Sequence, residues 1–350
     1  MTVSEPIHQA PASPLLHGWA VAVAGVILTM IVAGGLVTSQ NAGDSVPDWP
    51  LSYGSVYPTH QMVGNVRYEH THRMIGWALG LMVIALTVAL QATRKPPGIR
   101  RMGWIALLWV CLLGGLGGLR VMLISKPAVQ DAVMNVFGLL GVQSVETARV
   151  TVTVIHTALA QSFLCFMVVL AATLSRRWNT AQQPAISDET GGLRRLAMVT
   201  IAMVLMQLVF GALRRQTDAT WPLILHLVGA GLVFLHVALI ILRIRLYFSD
   251  VAPLRRIARG LGILIVAQVA LGLAAWWIVR ANKPGASPLP EIFGSDILAS
   301  TMLTAHLAVG AMVLVLTVLA AVYAYKYVAP TGDATDRTAV PTPGPLAASP

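Results

Sequence analysis

The sequence predicts an all-α, polytopic membrane protein with eight transmembrane helices in two tandem four-helix bundles, on three observations. Hydrophobic residues make up 56% of the 350 and charged residues 11%, with a mean hydropathy of +0.72. A soluble domain carries about a quarter charged residues. Eight apolar stretches are each long enough for the about 20 helical residues that cross a hydrocarbon core. Two pairs of histidines recur at matching places in the two halves: His72 and His226 are 154 positions apart, His156 and His306 150 apart.

The stretches span 17–38, 70–93, 101–122, 151–174, 193–214, 221–243, 256–279 and 301–325. Residues 1–16 form a cytoplasmic tail without the basic start and cleavage site of a secretory signal. Residues 17–174 make the first bundle, 175–192 a cytoplasmic linker and 193–326 the second bundle. Residues 327–350, rich in Pro, Ala and Thr, are expected to be a disordered cytoplasmic tail. Gly114, Gly117 and Gly118 in the third stretch correspond to Gly272 in the seventh, 154 positions beyond Gly118. Ala33-Gly34-Gly35-Leu36 corresponds to Phe210-Gly211-Ala212-Leu213. The Gly114/Gly118 spacing is read as a helix-packing signal. Cys111 and Cys165 are read as buried small hydrophobes, and no CxxCH motif supports covalent heme attachment.

The net charge of +10 is a topology signal and not a nucleic-acid surface. Arg94, Lys95, Arg100 and Arg101 follow the second stretch; Arg176, Arg177, Arg194 and Arg195 flank the linker. Arg243, Arg245, Arg255, Arg256 and Arg259 follow the sixth. Short basic loops stay cytoplasmic, which puts both termini inside the cell membrane and the loops after stretches one, three, five and seven outside. The first of these outer loops is the longest and holds Asp48, Trp49, Pro50, Tyr53, Tyr57 and His60.

His72, His156, His226 and His306 then all lie near the outer start of helices running in one direction. At 1.5 Å rise per residue they sit less than roughly 10 Å below the outer boundary. Ionisable side chains inside a membrane usually have a task, and bundle cofactor sites are built from facing side chains. Zinc would want three or four converging ligands. Heme needs one or two axial ligands, an apolar slot and partners for its propionates. Arg73, Arg120, Arg149, Arg214, Arg215 and Arg280 lie at outer helix ends, against the charge trend. They are propionate candidates, set against headgroup snorkelling. Glu69 and His72 are three apart on one helix face, where an acid can orient the ring or accept a proton; the competing reading is a carboxylate favoured by the helix dipole. His8, His17, His60 and His236 are given structural roles.

Glu69-His70-Thr71-His72-Arg73-Met74-Ile75-Gly76 resembles the second-helix signature of heme A synthases. Gly34-Gly35-Leu36-Val37-Thr38-Ser39, Pro47-Asp48-Trp49-Pro50-Leu51, His156-Thr157-Ala158-Leu159-Ala160, His226-Leu227 and His306-Leu307-Ala308 also match that family's pattern. The resemblance implies oxidation of a methyl group of heme o, by successive hydroxylation, to the formyl group of heme A for respiratory terminal oxidases. It makes Glu69, His72 and His156 the catalytic set around the substrate heme. His226 and His306 become axial ligands of a resident heme b, so all four histidines are heme-iron ligands. The resemblance also brings in the heme o-producing farnesyltransferase and oxidase assembly factors as candidate partners, beside membrane lipid, and leaves room for a homo-oligomer. Many bacterial members carry a cysteine pair in the first outer loop. Here those places hold Val46 and Ser52, and Leu113-Gly114 stands where Gln-Gly is usual.

Two other classes compete. A diheme b electron-transfer protein with bis-histidine hemes in both halves needs no acid at Glu69 and no long loop. A proton-coupled transporter would place its site near the midplane, with broken helices.

Overall fold

In hydrocarbon every backbone N–H and C=O needs a partner within the protein, and a long helix supplies one for each. The computed structural model describes residues 13–93, 95–180, 184–217, 219–281 and 296–331. The long helices are α1 (Pro14–Ser39), α2 (Val66–Ala92), α3 (Pro97–Ser125), α5 (Val145–Leu174), α7 (Thr190–Gln216), α8 (Thr220–Tyr247), α9 (Ala252–Ala281) and α10 (Asp296–Tyr327). Each of the eight is long and apolar enough to cross a membrane, and the protein is an all-α multi-pass membrane protein. Two short helices join them: α4 (Pro127–Leu139), within the loop predicted after the third stretch, and α6 (Arg176–Asn179), within the linker. His8, Arg94 and residues 332–350 lie outside the described residues.

Local sequence sets the helix starts. Ser13 caps α1, its hydroxyl accepting from the Leu16 N–H at 3.5 Å, with Pro14 in the first turn. Ser144 caps α5, accepting from the Thr147 N–H at 3.1 Å, with Glu146 in the first turn. Both arrangements suit donors left over at a helix N-terminus. Most helices begin earlier than hydropathy predicts. Val145 precedes His156 by eleven residues and Asp296 precedes His306 by ten, whereas Val66 and Thr220 each precede their histidines by six. The expectation that the histidines lie near the starts of their helices is corrected for His156 and His306: α5 and α10 begin about three turns before their imidazoles.

Among the described residues α1, α2, α3 and α5 close one ring of contacts, and α7, α8, α9 and α10 close another. The rings meet where α1 packs on α10 and α5 packs on both α7 and α10. One continuous apolar core runs through the seam, with Ile27, Phe163, Met167, Leu193, Ile240 and Leu314 almost wholly buried. Leu81, Leu108, Ile263 and Leu273 stand exposed, as side chains facing lipid do. Lipid tails are as apolar as these side chains, so close packing and polar contacts between helices hold the bundle.

The Gly114/Gly118 packing signal is corrected. A Cβ at Gly114 would meet nothing within 4 Å, and one at Gly118 would stand 2.6 Å from the Trp49 ring. The space is used by a loop tryptophan, not by a helix. Cys165 is buried, but Cys111 is exposed, contrary to its expected place in the core. On the basic face, Ala185–Ile186 (β1) pairs in parallel with Val328–Ala329 (β2), so the residues just after α10 are ordered against the linker. Arg194 donates to the Val328 carbonyl at 2.7 Å, and Ser187 N–H to that of Ala329 at 3.0 Å.

Gln161 of α5 is buried with neither amide atom hydrogen-bonded. An unmet buried polar group costs about 1–3 kcal/mol. Gln161→Met, which nearly conserves volume, is therefore expected to raise the thermal unfolding midpoint of the protein in detergent; a lower midpoint would reveal a partner for the amide.

Candidate functional site

Each of the four histidines rests against a glycine of the helix before it. A Cβ at Gly34 of α1 would lie 3.1 Å from the His72 Cε1, and one at Gly117 of α3 3.6 Å from that of His156. The corresponding distances are 3.0 Å from Gly211 of α7 to His226 and 2.9 Å from Gly272 of α9 to His306. Real Cβ atoms rarely come nearer than about 3.4 Å to a neighbour, so at three of the four seats any larger residue pushes the ring away.

The second pair is held by polar contacts as well. His226 Nδ1 lies 3.1 Å from the Gln207 carbonyl, and the Gln207 side chain donates back to the His226 carbonyl at 2.6 Å. His306 Nδ1 lies 3.2 Å from the Gln268 carbonyl, and the Gln268 amide lies 3.3 Å from His306 Nε2. Gln207 and Gln268 stand four residues before the seating glycines, one turn away. The matching positions in the first ring are Met30 and Leu113. There the Leu113 carbonyl lies toward His156, yet Nδ1 of both His72 and His156 is buried without a hydrogen bond.

The His226 and His306 rings face each other with centroids 6.1 Å apart and planes at 64°. An imidazole nitrogen binds a metal at about 2.0–2.1 Å; adding the ring radius, two imidazoles trans across one metal have centroids roughly 6.3 Å apart. The spacing of the two rings is thus that of two imidazoles able to share one metal. With Nδ1 directed at a main-chain carbonyl, the N–H tautomer is set there and Nε2 would be the nitrogen offered to a metal, a usual outer-shell support; at His306 the Gln268 amide, 3.3 Å from Nε2, would have to give way. His72 and His156 also lie within electrostatic reach of each other. Among the described residues no three His, Cys, Asp or Glu side chains converge as an ion site, so the donor set is one of imidazole pairs.

Glu69 is turned to the first loop and away from His72. One carboxylate oxygen accepts the N–H groups of Ser45 (2.9 Å) and Val46 (3.0 Å), and the other pairs with Arg73 at 2.5 Å. Arg73 also donates to the carbonyls of Asp48 (2.5 Å), Leu51 (2.6 Å) and Val46 (3.3 Å). His70 Nδ1 lies 2.9 Å from Ser52 Oγ. Val46 and Ser52 are both buried, fastened by this network where the resemblance expects cysteines. The loop then lays Trp49 on Gly118 of α3, the helix that seats His156.

The remaining arginines sort by partner. Arg120 and Arg149 both bind Asp44, at 3.1 and 3.5 Å, and Arg149 also binds Glu146 at 2.5 Å. Arg214 donates to the Thr217 carbonyl at 3.0 Å, and Arg280 lies over the Trp276 ring at 5.6 Å. Arg215 reaches across to α1, donating to the Gly35 carbonyl and Ser39 hydroxyl. Of the lesser histidines, His17 Nδ1 contacts the Ala171 carbonyl at 2.8 Å, His236 Nδ1 that of Leu232 at 2.9 Å, and His60 sits in a single 3-10 turn, Thr59–Gln61.

The model of the cytochrome oxidase assembly protein family COX15-CtaA matches residues 17–224. The chain belongs to this family. Its match takes in Glu69, His72 and His156 and stops just short of His226. Over 342 residues, 77% of this chain and 83% of the relative, the chain is 25% identical to a heme A synthase of Cereibacter sphaeroides. It is 26% identical over 239 residues to the heme A synthase of Beijerinckia indica, covering 59% of this chain and 61% of that protein. A shorter stretch of 95 residues is 35% identical to the heme A synthase of Halalkalibacterium halodurans, 26% of this chain and 31% of the relative.

Two expectations concern the loop of this family member. Glu69→Gln replaces an ionic acceptor with a neutral amide and should weaken the fastening by about 1–3 kcal/mol, seen as faster hydrogen exchange at the Ser45 and Val46 amides. Asp48 accepts the N–H groups of Tyr53 and Gly54 at 2.8 Å each. Partial burial opposes its ionisation, but those two donors and Arg73 outweigh it and hold its carboxyl below the ordinary 3.8. A depressed folded value means that the contribution is full above the unfolded value and lost as pH falls through the folded one. Protection of the Tyr53 and Gly54 amides should stay level from about pH 7 to about pH 5 and fall only below about pH 4.

Proposed function

We propose that the chain is a heme A synthase, an oxidoreductase that converts a methyl group of heme o to the formyl group of heme A by successive hydroxylation. In this reading His226 and His306 hold a resident heme b, and His72 and His156 face the substrate heme. The single observation that carries it is the inequality of the two imidazole pairs. The second has both Nδ1 atoms directed at main-chain carbonyls, a glutamine amide on each histidine and rings 6.1 Å apart, which would suit residues that hold a resident heme. In the first, a carbonyl is turned only toward His156, neither Nδ1 makes a hydrogen bond and Met30 and Leu113 stand where the glutamines would be, which suits a group that must arrive, react and leave.

The resident heme would supply one-electron redox chemistry. The chain's own residues do the positioning. Gly34 and Gly117 set the depth of the first pair. Glu69 and Arg73 hold the loop from Val46 to Ser52 over it, so Glu69 serves the reaction by fixing the cover that limits water. Trp49 ties that cover to α3. The relatives named as heme A synthases support the substrate assignment, and the charge bias of the loops supports a cell-membrane location with cytoplasmic termini. Delivery of heme o by the producing farnesyltransferase, and passage of the product to a terminal oxidase through assembly factors, complete the proposal.

Co-expression with a heme o source should yield heme A by pigment extraction, and Glu69→Ala should lower the yield. His226→Ala and His306→Ala should each remove most heme b absorbance from the purified protein, since losing one of two axial ligands weakens ligation. A protein that retained heme in both rings and made no heme A in a competent host would instead be the diheme electron carrier.

A further inference from the structure

Arg215 stands in the last turn of α7, partly buried, at the seam between the two rings. Arg73, Arg120, Arg149 and Arg243 each have a carboxylate partner; among the described residues Arg215 has none. Its contacts are the Gly35 carbonyl at 3.3 Å and the Ser39 hydroxyl, both on α1. A guanidinium carries five N–H donors, so these acceptors leave part of the fork unspent. With no carboxylate against it among the described residues, a partly buried guanidinium of this kind is well placed to take up an anion. Arg215 also lies within electrostatic reach of His306. The seam is tight there: a Cβ at Gly35 would meet Thr304 and Leu307, each at 3.1 Å, and Leu307 follows His306 directly.

We propose that Arg215 receives a carboxylate of the tetrapyrrole held by His226 and His306, and that α1 of the other ring orients it for that contact. The inference rests on the heme reading of the second pair and adds the residue that recognises the ligand's acidic edge. A planar fork held by two acceptors on one side offers its remaining donors in a fixed direction, as bidentate carboxylate binding requires. The site for the second ring's ligand is thus completed by the first ring. Ser39→Ala should weaken the contact through loss of orientation, and Arg215→Lys should keep the charge but lose the fork.

The test compares hemin with its dimethyl ester, which has the same iron and ring but no carboxylate. Full-length protein purified from heme-starved cells is titrated with each, followed by Soret absorbance. Hydrogen bonds to charged groups contribute about 1.5–3 kcal/mol, so wild type should prefer hemin by more than roughly tenfold. Arg215→Gln should abolish that preference, with Arg215→Lys and Ser39→Ala between. The bound heme's midpoint potential should also shift in Arg215→Gln relative to Arg215→Lys, a change that mere loosening of the seam would not separate by charge. Equal affinity of wild type for hemin and ester, or an unchanged preference in Arg215→Gln, overturns the proposal. If His226→Ala and His306→Ala bind hemin as wild type does, the heme reading of that pair itself has failed, whatever Arg215 shows.

Discussion

An imidazole can lie flush against a neighbouring helix most readily where that helix has no Cβ, and all four histidines of this protein lie against a glycine, three of them too closely for any larger residue. Gly34, Gly117, Gly211 and Gly272 each bring one helix to van der Waals contact with the ring of a histidine on the next. The contact fixes how deep each ring sits and which edge it turns to the helix. Because each seat and its histidine are on helices adjacent in the ring, the seats also fix helix order and register. The glycines give up helix stability, about 0.5–1 kcal/mol each relative to Ala, for position.

Upon that common frame the two rings diverge through polar detail. In the second, a glutamine one turn before each seating glycine brings its side-chain amide to the histidine while its main-chain carbonyl faces Nδ1, which fixes the ring. In the first, Met30 and Leu113 occupy those places, and ordering is transferred to the covering loop. Glu69 and His70, with Arg73 one turn further along α2, bind Ser45, Val46, Asp48, Leu51 and Ser52. One ring therefore invests its polar groups in the ligand rings, and the other in the lid.

Much of this was legible in the sequence because hydropathy and histidine spacing are local or periodic. The eight helices, the four histidines and the correspondence of Gly34 with Gly211 all come from such signals. The partner of Gly272 was misread by one residue as Gly118, since a run of closely spaced glycines gives no register. At about 100° per residue, Gly117 faces His156 while Gly118 faces Trp49. The extra turns of α5 and α10 escaped because they are built partly of polar residues, Glu146, Arg149, Asp296 and Ser300 among them, which a hydropathy window rejects. The direction taken by Glu69 was hidden for another reason. It depends on where a distant loop returns, and helix periodicity places Glu69 and His72 on one face without saying which other partner is nearer. Cys111 shows the same gap, since an apolar helix in lipid has outward positions as hydrophobic as its inward ones.

The short strand pair on the basic face has a wider meaning. By joining Ala185–Ile186 to Val328–Ala329, it brings the chain's entry into the second ring beside its exit. With an even number of spanning helices, both ends also emerge on the same side. A unit whose ends adjoin can be copied head to tail with only a short joint, and the copy arrives already oriented. Once two such units lie side by side, each is free to develop its own polar detail on the shared frame.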